Sequence, residues 1–325
     1  MFVMYKGETY MENMELYNKK IDDVCAEVNK VIFGKDEVIR TVLMAIIAGG
    51  HILIDDIPGV GKTTMAAAFA TAMGLQEKRI QFTPDVLPSD ITGFSLYNKS
   101  TGDFEYRQGA VMCNLFLADE INRTSPKTQS ALLEVMEEGR VTVDSVTRDV
   151  PRPFVVIATQ NPTGSIGTQN LPESQLDRFM IKVAIGYPSR EDEVKIIQGK
   201  KIIHNNLIKE VITKEELLVL QEMIDKVYME KSVCMYIAKI SEMSRTESTV
   251  QLGISPRGSI AISRMAKAYA FMNGRDYVIA SDVKKVLPET TEHRIVLNAK
   301  SKVNKITEAQ VIQNIADTVK VPFIK

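Results

Sequence analysis

A chain of 325 residues is long for one domain and comfortable for two. Its 40 basic side chains nearly balance its 41 acidic ones, so no bulk charge draws it to nucleic acid or to a membrane surface. The three cysteines, Cys25, Cys113 and Cys234, are far apart and have no His or Cys at metal-ligand spacing, which predicts buried free thiols in a reducing compartment. The start, Met1-Phe-Val-Met-Tyr-Lys-Gly-Glu8, has no apolar signal core, and the most apolar stretch, residues 42–54, is broken by Gly49-Gly50-His51. The cytoplasm is the expected location.

In chain order, residues 1–14 are expected to be loosely held. Leu16, Ile21, Val24 and Val28 then recur near helical spacing, and Val31-Ile-Phe-Gly34 ends that helix. A strongly apolar helix is predicted from Asp36 to Ala48, stopped by Gly49-Gly50. Next comes His51-Ile-Leu-Ile-Asp-Asp-Ile-Pro-Gly-Val-Gly-Lys-Thr-Thr64, which reads as a strand, a turn of small residues and a helix start. Small residues there let backbone N–H groups turn inward around phosphate oxygens, and the helix N-terminus adds its own unpaired N–H groups. Pro58, Gly59, Val60, Gly61, Lys62, Thr63 and Thr64 therefore form a candidate nucleotide-binding set. Lys62 is placed for the β- and γ-phosphates, and the Thr63 hydroxyl for Mg²⁺. The general pattern has Gly at its first position, where this chain has Asp56.

A short strand is predicted at Arg79-Ile-Gln-Phe82, and an inserted β-hairpin at residues 94–107 around Asn98-Lys-Ser-Thr-Gly102. The continuous apolar run Asn114-Leu-Phe-Leu-Ala118 fits a strand buried on both faces, and it delivers Asp119 and Glu120 at its end. Asp119 would hold Mg²⁺ and Glu120 would orient and polarise a water. The plain alternative, two solvated acids, loses weight so soon after a phosphate loop. A helix from Ser125 to Glu138, a second inserted hairpin at residues 140–150 and a buried strand, Phe154-Val-Val-Ile-Ala-Thr159, follow. Asn161 at the tip of that strand could bond a γ-phosphate or a water, or simply form an Asn-Pro turn with Pro162. Leu171 to Phe179 reads as a short helix carrying Arg178, ahead of a strand at residues 180–185.

These runs predict an α/β P-loop fold, a three-layer α/β/α core on a mostly parallel sheet. Beyond Tyr187-Pro188 the pattern becomes helical, with N-cap signals at Ser189, Thr213 and Ser255-Pro256 and a capping box at Thr307-x-x-Gln310. Arg257 in a first helical turn opposes the helix dipole, which suggests a nearby anion or a surface salt bridge. The stripe Val311, Ile312, Ile315 and Val319 packs on this helical part or on a neighbour. The expected division is an extension (1–14), an α/β nucleotide-binding domain (15–188) and a smaller all-α lid (189–325).

With these residues assembled, the chain resembles the AAA+ ATPases, and within them the MoxR family. The resemblance rests on Asp55-Asp-Ile-Pro-Gly-Val-Gly-Lys-Thr63, Phe82 to Gly93, Leu117-Ala-Asp-Glu-Ile-Asn-Arg123 with Pro126 to Glu134, Ala158-Thr-Gln-Asn-Pro162, Leu171 to Phe179 and Gly253-Ile-Ser-Pro-Arg257. Asp at the first loop position is common in that family, and the hairpins look like the insertions of its clade. The resemblance implies that Asn161 is sensor 1, Arg257 sensor 2 and Arg178 the arginine finger, with Arg123 the other candidate for the finger. It places Ile32, Phe33 and Gly34 beside the adenine. It also implies ATP and Mg²⁺ as ligands, a ring that is expected to be a hexamer, and chaperone-like remodelling of a protein client. Proteins with a von Willebrand factor A domain are the expected partners. A nucleotide-gated scaffold with negligible turnover is the alternative. A nucleic-acid motor is a weaker one, because Lys99, Arg107, Arg140 and Arg148 in the hairpins are offset by Asp103, Glu105, Asp144 and Asp149.

Overall fold

The structure is a computed structural model and describes residues 7–161, 170–198 and 207–322. Helices α1 (Gly7–Asn29) and α2 (Asp36–Ile47) come first, then strand β1 (Ile52–Asp55), helix α3 (Lys62–Ala72) and β2 (Glu77–Gln81). A short α4 (Pro88–Thr92) leads into the hairpin β3 (Gly93–Asn98) and β4 (Asp103–Gln108). Strand β5 (Leu115–Asp119), helix α5 (Pro126–Glu138), the hairpin β6 (Arg140–Val143) and β7 (Val146–Asp149), and β8 (Val155–Gln160) follow. After α6 (Glu173–Leu176) and β9 (Ile181–Val183) come α7 (Arg190–Ile197), α8 (Lys214–Asp225) and α9 (Lys231–Thr246). The last part holds β10 (Val250–Leu252), α10 (Pro256–Met272), α11 (Ala280–Thr291), β11 (Val296–Leu297), α12 (Ala299–Val303) and α13 (Glu308–Thr318).

Five strands form one parallel sheet in the order β2-β5-β8-β1-β9. Successive strand residues point to opposite faces, so a buried parallel strand needs apolar residues throughout. In β1, Ile52 and Ile54 join one core cluster and Leu53 the other; in β5, Leu115 and Leu117 divide in the same way from Phe116 and Ala118. The first cluster also takes in α1–α3 and residues of α8–α11 and α13; of these, α8 and α10 pack against α2. The second lies beneath α4 and α5.

Both inserted hairpins form where alternation places them, each as a separate two-stranded sheet. Ser125, Ser189, Thr213, Ser255 and Thr307 each cap their helix with a side-chain oxygen. The stripe on α13 packs within the chain, against α9 and α11.

Three expectations are corrected. Helix α1 starts at Gly7, well before residue 15, and its inward face is Met14, Tyr17, Ile21, Val24 and Val28, with Leu16 outside. The helical part after Pro188 includes an antiparallel ribbon, β10 with β11. Cys113 is buried, Cys25 is half-buried and Cys234 is exposed, so the three thiols do not share one environment. Pro162, and with it the expected Asn-Pro turn, lies outside the described residues.

Candidate active site

Parallel strands deliver their C-terminal ends to one edge of the sheet, and the residues at the ends of β1, β5 and β8 meet there. After β1 the loop turns through Gly59 (φ 86°) and Gly61 (φ 94°), a left-handed backbone that glycine adopts without strain. Lys62 opens α3 and is buried. Its ammonium donates to the carbonyls of Asp56 and Gln160 and to Asn161 Oδ1, the last two at 3.3 Å. Burial lowers its pKa, and the acids Asp56, Asp119, Asp55 and Glu120 pull the other way, which keeps a cation in the loop.

Asp56 is buried at the position where the general pattern has glycine. Its Oδ1 accepts from the Ile57 N–H at 2.8 Å and its Oδ2 from the Gly186 N–H at 2.6 Å, just after β9. The carboxylate therefore ties the phosphate loop to the segment leaving the sheet. Lys35 reinforces that tie by donating to the Tyr187 carbonyl at 2.8 Å.

The two acids after β5 are held differently. Asp119 accepts from the Thr159 hydroxyl at 2.6 Å and from Arg79 on β2 at 2.7 Å. Glu120 has left-handed backbone angles (φ 58°, ψ 48°), uncommon for a residue with a Cβ and found where surrounding contacts enforce them. Its N–H donates to Thr159 Oγ1 at 2.9 Å. One of its carboxylate oxygens accepts from Asn161 Nδ2 at 2.9 Å and the other from Arg123 at 2.7 Å. Asn161 thus touches both Lys62 and Glu120, and Thr159 joins the two acids. Thr63 and Asp119 offer oxygen donors only, the set that suits a hard cation held by one or two protein groups and a phosphate. Among the described residues no cluster of three or more His, Cys, Asp or Glu forms a cage made wholly of protein ligands.

Beside the loop lies a cavity of about 100 Å³ between Ile32, Phe33, Val60 and Thr64 on one side and Ile185 and Pro188 on the other. Ile32 and Phe33 thus line a cavity that adjoins the phosphate loop. Gly34 does not line the cavity: its φ of 67° makes a turn, and a Cβ there would meet the Asp192 carboxylate at 2.1 Å. Pro58 is exposed and is also outside the lining.

Arg178 and Arg257 are not brought to this site. The Met180 N–H bonds the His51 carbonyl at 2.8 Å, and Ile52 pairs with Ile181, so Arg178 lies at the N-terminal edge of the sheet. The length of β1, about 13 Å, separates that edge from the phosphate loop. Arg257, on the first turn of α10, comes to the same edge, and both arginines pair with Glu137 at the end of α5. Arg123 instead sits on its own chain's Glu120. Sequence reading missed Arg79, Thr159 and Glu137. Only Thr159 left a signal, as a hydroxyl inside an otherwise apolar strand.

Residues 51–181 match the model of the ATPase family associated with various cellular activities (AAA), and residues 242–315 match the AAA lid domain. The chain is 38% identical over 307 residues to Chaperone MoxR1 of Mycobacterium tuberculosis, covering 92% of this chain and 81% of that one. The chain belongs to the MoxR family of AAA+ ATPases. Another relative is the uncharacterised protein YeaC of Bacillus subtilis, 48% identical over 96% of this chain and 97% of its own. A crystal structure of a presumed ATPase from Cytophaga hutchinsonii superposes with a TM-score of 0.89 at 38% identity, covering 96% of this chain and 98% of that one. The fold is accordingly that of an AAA+ P-loop ATPase with a helical lid. No described helix is long and apolar enough to cross a membrane.

Proposed function

We propose that this MoxR-family chain binds ATP with Mg²⁺ and hydrolyses it in a ring whose neighbouring copies complete each other's sites. Turnover would drive chaperone-like remodelling of a protein client. The observation that carries this reading is the division of the machinery between the two edges of one sheet. Lys62, Thr63, Asp119, Glu120 and Asn161 gather at the C-terminal edge, whereas Arg178 and Arg257 stand at the other. A chain built this way reaches its own phosphates with the first set only, and offers the second to a neighbour.

The residues take separate roles. Lys62 and the loop N–H groups bind the phosphates. Thr63 and Asp119 hold Mg²⁺, which when bound supplies charge neutralisation at the phosphate oxygens. Glu120 orients and polarises the attacking water, and Asn161 positions Glu120 against Lys62. Arg178 is the finger rather than Arg123, because Arg123 lies at its own chain's phosphate edge, on Glu120, whereas Arg178 stands at the opposite edge of the sheet. Arg257 acts in trans beside it. A finger contributed by a neighbour is worth about 10³–10⁵ in rate in phosphoryl transfer.

The hairpin β3–β4 exposes Phe94, Leu96, Tyr97 and Phe104, apolar contacts suited to a protein client. Its Arg107 pairs with Glu105, Arg140 of the second hairpin pairs with Glu138, and Arg148 stacks on Tyr106, which leaves little free cation for nucleic acid. We take the nucleotide-binding domain to extend to residue 188 and the lid to follow from 189. A hexameric ring, a cytoplasmic location and a partner with a von Willebrand factor A domain complete the proposal. The test is the ATPase rate per subunit against protein concentration, for wild type and Arg178→Ala. Specific activity should rise with concentration and collapse in the variant. A flat rate that Arg178→Ala leaves unchanged would refute the shared site. Cellular function retained in Glu120→Gln would instead favour the scaffold.

A further inference from the structure

At the N-terminal edge of the sheet a cavity of about 220 Å³ is lined by Arg178, Arg257, Arg264 and Arg294, with only Glu137 and Asp177 as carboxylates. Asp177 is already committed: it accepts from Arg294 Nε at 2.8 Å and from the Ser255 hydroxyl at 2.8 Å. Among the described residues Glu137 is the carboxylate that pairs with Arg178 and Arg257, and Arg178 also donates to the Leu133 carbonyl. The Glu137 Oε2 lies 3.0 Å from Arg178, and its Oε1 accepts from Arg257. Arg264 has no ion pair among the described residues. His51, which also lines the cavity, is half-buried, and desolvation holds its pKa down to about 4, so it adds no charge at neutral pH.

Two of these charges stand where their helices disfavour them. Glu137 is in the last turn of α5, which favours cations, and Arg257 is in the first turn of α10, which favours anions. Each is held there by the other. One carboxylate, with each oxygen on a different guanidinium, has the geometry of a small anion in a two-arginine clamp.

We propose that Glu137 is an internal stand-in for the terminal phosphate of a neighbour's nucleotide. It occupies the anion position between Arg178 and Arg257 in the free chain and gives it up when a nucleotide-loaded neighbour docks. The inference rests on the reading of Arg178 and Arg257 as trans-acting. Assembly is then an exchange of anions, and the strength of the Glu137 clamp sets how much nucleotide and how many neighbours it takes. The three side chains remain 28–42% exposed, so the clamp is weak enough to open.

The experiment is sedimentation velocity across protein concentration with Mg²⁺ and a non-hydrolysable ATP analogue, paired with ATPase titrations. It uses wild type, Glu137→Gln, Glu137→Asp, Arg178→Ala and Arg257→Ala, each first checked for a cooperative thermal transition. Glu137→Gln should lower the concentration at half-assembly and at half-maximal specific activity by about 2- to 10-fold, two exposed ion pairs being released. Glu137→Asp, too short to reach both arginines, should move it the same way. If the two Glu137 variants match wild type or assemble less readily, while the arginine variants lose assembly or turnover, the stand-in role is overturned and the trans reading stands. If Arg178→Ala and Arg257→Ala both behave as wild type, the trans reading falls, and the stand-in with it.

Discussion

Asp56 shows at the residue scale how a departure from a pattern can carry structure. Nothing at its position demands glycine, since its φ is not positive, and its carboxylate satisfies two N–H groups while offsetting the charge of buried Lys62. Asp56→Gly, although it restores the general pattern, should therefore destabilise the fold by about 1–3 kcal/mol. Urea unfolding would measure it, and an equally stable variant would contradict the argument. Thr159→Val should leave the Asp119 and Glu120 contacts without their shared hydroxyl, lowering the hydrolysis rate with little change in apparent nucleotide affinity. Lys62, Thr63, Asp119 and Glu120 were legible in the sequence because each follows an apolar strand at a fixed spacing. Arg79 was not, because its partner on β5 depends on which strands are neighbours, and one sequence does not state the sheet order.

At the scale of elements, α10 links the two halves of the molecule. Ser255 caps it by accepting from the Gly258 N–H at 3.0 Å and also donates to Asp177 of the core. Ser255→Ala removes both bonds and should cost about 1–2 kcal/mol, read as a lower thermal midpoint. A drop larger than an equivalent loss at Thr307 would mark the contact to Asp177. Caps were legible because they are local chemistry, and the hairpins because a period of two needs no tertiary context. The ribbon of β10 and β11 was not: three residues and two, about 45 apart in the chain, carry no periodicity. The start of α1 was misjudged for a related reason, since the phase of its buried face is set by α2 and α3, which pack on it.

At the scale of the whole molecule, pH dependence follows from two histidines, His293 buried and His51 half-buried. His51 Nδ1 accepts from the Val156 N–H at 3.0 Å while its Nε2 faces the Met136 carbonyl at 3.0 Å, a neutral ring with both nitrogens used. Burial holds its pKa down to about 4, and His293 is also held well below its ordinary value by burial. Below pH 6.5 the unfolded chain takes up protons that the folded chain refuses. Stability should therefore fall as pH drops from about 6.5 towards 4, by up to about 3 kcal/mol for His51. Urea midpoints across that range should slope in wild type and slope less in His51→Gln, where His293 still contributes. The two-domain plan and the parallel sheet were legible from where strands stop and helices continue. The separation of Arg178 and Arg257 from the phosphate loop was not, since it depends on which end of β9 and which side of α2 the chain presents. The tie from Asp56 to Gly186, seconded by Lys35 on the Tyr187 carbonyl, has a kinetic consequence. These two bonds clamp together the opposite walls of the slot proposed for the base. At roughly 0.5–1.5 kcal/mol each, they leave the parted form a minority of a few per cent. Nucleotide exchange is then limited by how often the slot gapes, and Lys35→Met should speed the release of a fluorescent ADP in stopped flow without altering how the phosphates are held.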